Sequence, residues 1–147
     1  MSTNTATAEQ IIQLERTALN RWGKGEPAGY SDLYAEDVTY FDPLVPARID
    51  GHNAMIAYYK PWIGQIHVPR YELLTPRVDV SGDMAVLTYN LVNYLQDADG
   101  TERTGSCWNC TEVYTLREGS WRIIHSHWSF TAHPAFQNIT PAQSEGG

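Results

Sequence analysis

Gly105-Ser-Cys-Trp-Asn-Cys-Thr-Glu-Val-Tyr-Thr-Leu116 and Trp121-Arg-Ile-Ile-His-Ser-His-Trp-Ser-Phe-Thr-Ala132 are the two halves of the stretch that decides the fold. They read as two strands joined by Arg117-Glu-Gly-Ser120, whose Gly119 can supply the positive φ of a tight turn. The stretch holds both cysteines, three of the five tryptophans, and the pair His125 and His127. Symmetric closure about the turn sets Leu116 against Trp121, Tyr114 against Ile123, Glu112 against His125 and Cys110 against His127. Alternation places this set on one face, graded from apolar (Leu116, Trp121, Ile123) to polar (Glu112, His125, His127). Such a gradient suits a pocket that is packed at one end and chemically active at the other. A pairing shifted by one residue would put Thr111, not Glu112, beside His125. Two histidines at alternate strand positions also suit a solvent-facing pair or an interface patch.

Upstream, Arg70–Val80, interrupted in propensity by Pro76, and Met84–Leu95 are further strand candidates, and Asp97-Ala-Asp-Gly100 turns the chain toward the hairpin. Sequential strands of this kind predict a meander. Before them, Glu9–Trp22 has helical periodicity, with Ile11, Leu14 or Glu15, Ala18, Leu19 and Trp22 near one face. Gly23 and Gly25 end it. Pro27–Tyr34 suits a short second helix and His52–Ile63 a third, with Met55, Ile56, Tyr59 and Trp62 facing inward and Pro61 kinking or ending it. Val38–Asp42 is a short strand closed by Pro43. A long sheet must bury one face, and these helices are the cover available. The expectation is an α+β, cone-shaped fold: three N-terminal helices against a strongly curved, mostly antiparallel sheet enclosing a pocket. One domain is expected over residues 8–133, with 1–7 and 134–147 as flexible or wrapping tails.

The chain has 147 residues, the size of one ordinary domain, and 42% of them are hydrophobic, enough for a core. A formal charge of −7 disfavours sequence-independent nucleic-acid binding, which draws its affinity from basic contacts with phosphate. No apolar run approaches the roughly 20 residues of a membrane span. Met1–Ala8 lacks the apolar core of a secretory signal, and two cysteines make no disulfide scaffold, so a reduced, cytoplasmic protein is expected. There is no glycine-rich phosphate loop and no nucleophile elbow, and no cofactor is expected. His125-x-His127 with Glu112 or Asp42 is a weak metal signal, because this spacing is common on strands. Cys107 and Cys110 point to opposite faces of a strand and should not chelate one ion. No metal is expected.

Three phrases, taken in order, resemble one superfamily. They are Leu33-Tyr-Ala-Glu-Asp-Val-Thr-Tyr-Phe-Asp-Pro43, Gly51-His-Asn-Ala-Met-Ile-Ala-Tyr-Tyr59 and Gly119-Ser-Trp-Arg-Ile-Ile-His-Ser-His-Trp-Ser129. Their spacing resembles the nuclear transport factor 2-like superfamily, a cone-shaped α+β fold, and within it the ketosteroid isomerase and SnoaL-like polyketide cyclase branches. The resemblance covers residues 9–131. It implies that Asp42 moves a proton between two carbons of a substrate, work that needs a carboxylate near an acidic C–H and donors at the developing enolate oxygen. The plainer reading is that Asp42 ends a strand and caps the Pro43 turn. The isomerases place a tyrosine donor on the first helix where this chain has Ala18, which argues against steroid isomerase activity. Their second donor, a protonated aspartate, falls near Glu112, or Thr111 if the alignment slips. The cyclase branch pairs an aspartate with a histidine, which implies Asp42 with His127 or His125. The Trp121–His127 phrase also resembles the association domains of calmodulin-dependent kinases, which assemble and do not catalyse.

The sequence leaves open whether the chain is an enzyme. As an enzyme it would be a cofactor-independent isomerase, cyclase or dehydratase moving a proton alpha to a carbonyl of an apolar cyclic substrate. Asp42, His127, His125 and Glu112 are the candidate catalytic groups. Trp22, Tyr40, Tyr59, Trp62, Tyr89 and Trp108 are the candidate walls for a small apolar or aromatic molecule. Otherwise it would be a non-catalytic ligand-binding or oligomerisation domain. A homodimer through the outer face of the sheet is expected, because Cys107, Val113, Ile124, Trp128 and Phe130 make an apolar outward set under the symmetric pairing.

Overall fold

In the computed structural model the described residues are 3–131; residues 1–2 and 132–147, including Ala132 and the expected C-terminal tail, lie outside them. Helix α1 spans Thr3–Gly23, so the residues from Thr3 to Thr7, expected as a tail, are helical. Its buried stripe is Ile11, Glu15, Ala18 and Leu19, with Gly23 at the end. The chain leaves the helix at Gly25, whose φ of 83° suits glycine and whose N–H bonds to the Trp22 carbonyl at 2.9 Å. The short α2, Ala28–Ser31, lies close against α1 because Gly29 has no side chain. A Cβ there would sit 2.7 Å from Arg21 Cβ and 2.9 Å from the Ala18 carbonyl oxygen.

Strand β1 (Tyr34–Phe41) pairs antiparallel with the short β2 (Ile49–Asp50), and Gly51, at φ 95°, leads into α3 (His52–Tyr59). Pro61 falls in a 3-10 turn, Lys60–Trp62, that closes α3 earlier than the expected Ile63. The long strands follow: β3 (Arg70–Ser81), β4 (Met84–Gln96), β5 (Glu102–Arg117) and β6 (Ser120–Phe130). β4, β5 and β6 pair antiparallel in succession, the expected meander, and β3 extends it by pairing with β4. Pro76 is absorbed in β3 by a register shift between Leu74 and Arg77, with Thr75 at φ 48°.

The cone-shaped, strongly curved sheet enclosing a pocket is corrected by the structure. The six strands lie in the order β2-β1-β6-β5-β4-β3, and the sheet is mixed, because β1 runs parallel to β6. It is neither closed nor strongly curved: β2 and β3 are unpaired edges at its two ends. Irregularities within the long antiparallel pairs are isolated single shifts, which bend a sheet only locally. Cover therefore comes from the helices. α1 is tied over the sheet by Glu15, which accepts from Tyr89 on β4 and Tyr114 on β5, and α3 is tied to β1 by a 2.7 Å hydrogen bond between the Tyr59 and Tyr34 hydroxyls. The core lies between these layers, around Ile11, Val38, Met55, Leu87, Tyr114 and Ile123, all essentially inaccessible to solvent.

The hairpin register needs a second correction. Leu116 faces Trp121 and Tyr114 faces Ile123, as symmetric closure requires. The ladder then shifts between Val113 and Tyr114, leaving Ile124 as an extra residue in β6. Beyond the shift Val113 faces His125, Glu112 faces Ser126, Thr111 faces His127 and Cys110 faces Trp128. One inserted residue exchanges the faces of everything after it. Glu112 stays inside with Ser126, while His125 and His127 turn to the other face. Trp128 and Phe130, expected outside, share the face of Cys110 and Trp108 instead.

Candidate ligand-binding site

On the helix-covered face of the sheet lies a partly open cavity of about 270 Å³. Leu19, Trp22 and Tyr30 form its wall on the α1–α2 side, and Tyr58, Tyr59 and Trp62 line it from α3 and the turn that follows. Leu91, Asn93, Ser106, Trp108 and Trp128 come from β4, β5 and β6, while Tyr40, Asp42 and Leu44 come from β1 and the loop after it. Ile66 and Val68 complete the rim. Four of the chain's five tryptophans therefore look into one space.

The rings meet mostly at steep angles. Trp22 packs edge-on against Tyr59 (5.2 Å between centroids, 68°) and Trp108 against Trp128 (6.0 Å, 88°). Edge-to-face packing satisfies the ring quadrupoles and leaves some faces open to the cavity.

Asp42 is the one charged residue in the lining. Its Oδ2 accepts from the Tyr40 hydroxyl at 2.8 Å and the Tyr58 hydroxyl at 2.6 Å, and its Oδ1 accepts from the Leu44 backbone N–H at 2.7 Å. The last contact is the turn-capping role that the sequence offered as the plainer reading. The two phenols fix the carboxylate at the cavity wall. Burial pushes the Tyr40 and Tyr58 phenols well above the ordinary tyrosine range, and the Asp42 charge adds to this, so both stay protonated donors.

Behind the wall formed by Tyr30 lies a second group of polar side chains. Glu15 is fully buried and accepts three phenol hydrogens: Tyr30 (2.8 Å) and Tyr89 (2.6 Å) at Oε2, and Tyr114 (2.6 Å) at Oε1. Glu112 is also fully buried, and its Oε2 is without a hydrogen-bond partner in the geometry. Its other oxygen accepts from the Cys110 thiol at 3.4 Å. Ligand atoms of Glu15, Cys110 and Glu112 all lie within 4.8 Å of one another. Burial raises both carboxyls, and the three phenols oppose that rise at Glu15. Glu112 is raised well above its ordinary value, first by burial and then by the neighbouring Glu15 charge. Glu112 is therefore the carboxyl of the two that is pushed further toward its neutral form. Burial likewise pushes the Cys110 thiol well up, so it is an inert core group.

The sequence-derived candidates divide among three places. Asp42, Trp22, Tyr40, Tyr59, Trp62 and Trp108 meet in the cavity. Tyr89 is buried behind it, bonded to Glu15, and Glu112 lies in the same buried group. His125 and His127 are on the opposite face of the sheet from Asp42's partners, packed around Phe41 at centroid distances of 5.7 and 5.1 Å. His125 shares a 2.8 Å hydrogen bond with Thr39. Burial, then the His127 charge, lowers its pKa. Asp42 and the two imidazoles therefore do not form a dyad, and Glu112 cannot join the histidines around a metal. Glu15, Tyr58, Tyr30 and Trp128 were missed as site residues. Glu15 was legible as an alternative to Leu14 on the helical stripe through Ile11, Ala18 and Trp22.

Helices layered on one face of a mixed sheet, with an aromatic cavity between them, define an α+β fold of the nuclear transport factor 2-like, cystatin-like class. The chain belongs to the SnoaL-like domain family, whose model matches residues 17–133. It is similar to the structure of a "putative ketosteroid isomerase" from Parabacteroides distasonis at 36% identity, covering 87% of this chain and 89% of that one with a TM-score of 0.74. A second similar structure is an NTF2-like protein of unknown function from Pseudomonas putida (25% identity, 93% and 98% coverage, TM-score 0.73). The association domain of C. elegans CaMKII also matches (22%, 85% and 96%, 0.73), a likeness of fold alone. Among the described residues no helix is long and apolar enough to cross a membrane.

Proposed function

We propose that this chain, as one SnoaL-like domain, binds a small, largely apolar molecule in the cavity, with Asp42 as the polar contact that orients it. The observation that carries this is a single carboxylate held by two phenols in a wall built mostly of rings and aliphatic side chains, with Asn93 and Ser106 as its other polar members. Burying an apolar ligand surface there contributes roughly 25 cal/mol per Å², and a few fixed polar groups select among ligands. Because four tryptophans border the space, their fluorescence reports entry. Titration with 2-naphthol should give saturable quenching, and Val68→Trp, which fills the rim, should weaken it at least tenfold (about 1.4 kcal/mol). Quenching that rises linearly without saturation, in both proteins alike, would end this reading.

A second reading is proton transfer next to a carbonyl, favoured by Asp42's position in the cavity and by the name of the relative at 36% identity. Asp42 would take a proton from the carbon between a ketone and an isolated double bond and return it to the far alkene carbon. One of the two phenols would turn from Asp42 to the developing oxygen. Incubation with a cyclic β,γ-unsaturated ketone should then produce the conjugated isomer, seen as growing ultraviolet absorbance, and Asp42→Asn should abolish it. No conversion above buffer would remove this reading and leave the binding one.

A further inference from the structure

We propose that the ligand of the cavity is an organic cation: an aromatic or alicyclic body carrying a protonated or quaternary amine, with Asp42 as its counter-ion. This rests on the binding reading above and names the charge of the molecule bound.

The first support is an unbalanced charge. Asp42 lines the cavity with no lysine, arginine or histidine beside it in the lining. Its three protein partners are neutral donors, two phenols and a backbone N–H. The arginines in the last turn of α1 and in the loop after β1 are committed to other acids. Arg48 forks onto Asp50 at 2.6 and 3.3 Å, and Arg21 is held by Glu26 and Asp32 at 3.2 and 3.1 Å. The whole chain carries −7. An anionic ligand would meet this field with no compensating cation.

The second support is the direction of the wall's hydrogen bonds. Tyr30 donates outward to Glu15, Tyr40 and Tyr58 to Asp42, Trp108 to Ser106 and Trp128 to Ser126. These five groups therefore offer the ligand ring surface rather than hydrogens, leaving the Trp22 and Trp62 indole N–H groups as the ring donors without a protein partner among the described residues. A ligand that accepts hydrogen bonds could be met by the Trp22 and Trp62 indoles, but only a cation also balances the Asp42 carboxylate. An ammonium needs no rearrangement. It gives its hydrogens to Asp42 and lays its charge against the ring faces, an arrangement that electron-rich aromatic boxes favour.

Calorimetric titration with three ligands of one skeleton tests this: 3-phenylpropylamine, 3-phenylpropanol and 3-phenylpropionate. The amine should bind about tenfold or more tighter than the alcohol, with the acid weakest, and Asp42→Asn should bring the amine down to the alcohol's level. If the alcohol or the acid binds as tightly as the amine, the cation proposal is overturned while the binding reading stands. If none of the three binds and 2-naphthol also fails to saturate, both are overturned. Retained preference for the amine in the Asp42→Asn protein would overturn the role given to Asp42.

Discussion

Tyr58, on α3, donates to Oδ2 of Asp42 at 2.6 Å and so ties the helix to the loop that follows β1. Tyr40, from β1 itself, reaches the same oxygen at 2.8 Å. The two contacts come from different elements, and the Tyr58 bond forms only when α3 is docked. Tyr58→Phe keeps the ring in the cavity wall and removes one donor to a charged group. Urea denaturation should show a loss of about 0.5–1.5 kcal/mol. A loss indistinguishable from zero would mean that water takes the phenol's place at Asp42.

The two buried glutamates should respond very differently to the same isosteric change. Glu15→Gln replaces an acceptor of three phenol hydrogens with a group that can accept at only one oxygen, so buried hydroxyls lose their partner. The expected cost is roughly 2–4 kcal/mol in urea denaturation. Glu112 is pushed toward its neutral form, and a glutamine matches that form in charge and shape and keeps an acceptor for the Cys110 thiol. Glu112→Gln should stay within about 1 kcal/mol of the parent near pH 5. Equal losses in the two variants would contradict the assignment of Glu112 as the carboxyl pushed further toward its neutral form.

The raised Glu112 also sets a pH dependence. Glu112 in the folded chain is raised well above the 4.5 of an ordinary glutamate, whereas in the unfolded chain it titrates near that value. Above pH 4.5 the unfolded state therefore binds fewer protons than the folded state, and stability falls as pH rises toward the folded value. Exposed acids with lowered values, such as Glu102 beside Arg70, act in the opposite sense, losing stability as pH falls, and they act equally in parent and variant. The difference between parent and Glu112→Gln reports the buried pair, Glu112 and the Glu15 beside it, whose value is raised as well. The variant should gain on the parent steadily as pH rises from 5 to 8, measured by urea midpoints. A constant difference would show that Glu112 is not raised in the folded chain.

Much of the layout was legible in residue patterns, and each failure has a physical cause. Helical spacing located α1 and its buried face, the turn residues located the meander, and Asp42 lines one cavity with five of the aromatic residues named as walls. The hairpin pairing was right as far as Tyr114 and Ile123. It failed at Ile124, because a bulge carries no signature that distinguishes one apolar residue in a run from its neighbours. From that residue on, alternation moved Trp128 inward and the histidines outward, which removed the Asp–His pairing and depleted the outward apolar set proposed for a dimer. The cone was inferred from the need to cover a long sheet. The helices meet that need over an open, mixed sheet, and the parallel placement of β1 beside β6 depends on long-range packing that no local pattern encodes.

The histidines offer a control for the site. His125 and His127 pack on Phe41 and Thr39, on the face away from the cavity. The double change His125→Gln, His127→Gln should leave 2-naphthol affinity within about twofold, under 0.5 kcal/mol. A loss of tenfold or more, in protein whose urea midpoint is unchanged, would mean that the two faces of the sheet are coupled.

Gly29 and Gly119 separate two reasons for needing glycine. At Gly119 the need is conformational: φ is 79°, and a Cβ would meet nothing within 4 Å. Gly119→Ala should therefore cost about 1–2 kcal/mol, the penalty of an L side chain in left-handed backbone. At Gly29 the need is contact, since an added Cβ would come within 2.7 Å of Arg21 Cβ and 2.9 Å of the Ala18 carbonyl. Arg21 Cβ and the Ala18 backbone both belong to α1 and cannot swing aside, so α2 must move away. Overpacking of this kind costs about 1–3 kcal/mol, against which alanine's better helix propensity returns at most about 1. The distinguishing measurement is the ligand. α2 carries Tyr30, which lines the cavity and donates to Glu15, so Gly29→Ala should weaken 2-naphthol quenching as well as stability. Gly119→Ala, at a remote hairpin, should lower stability alone. If Gly29→Ala left binding intact, the α1–α2 contact would be a device of stability only, with no part in shaping the wall.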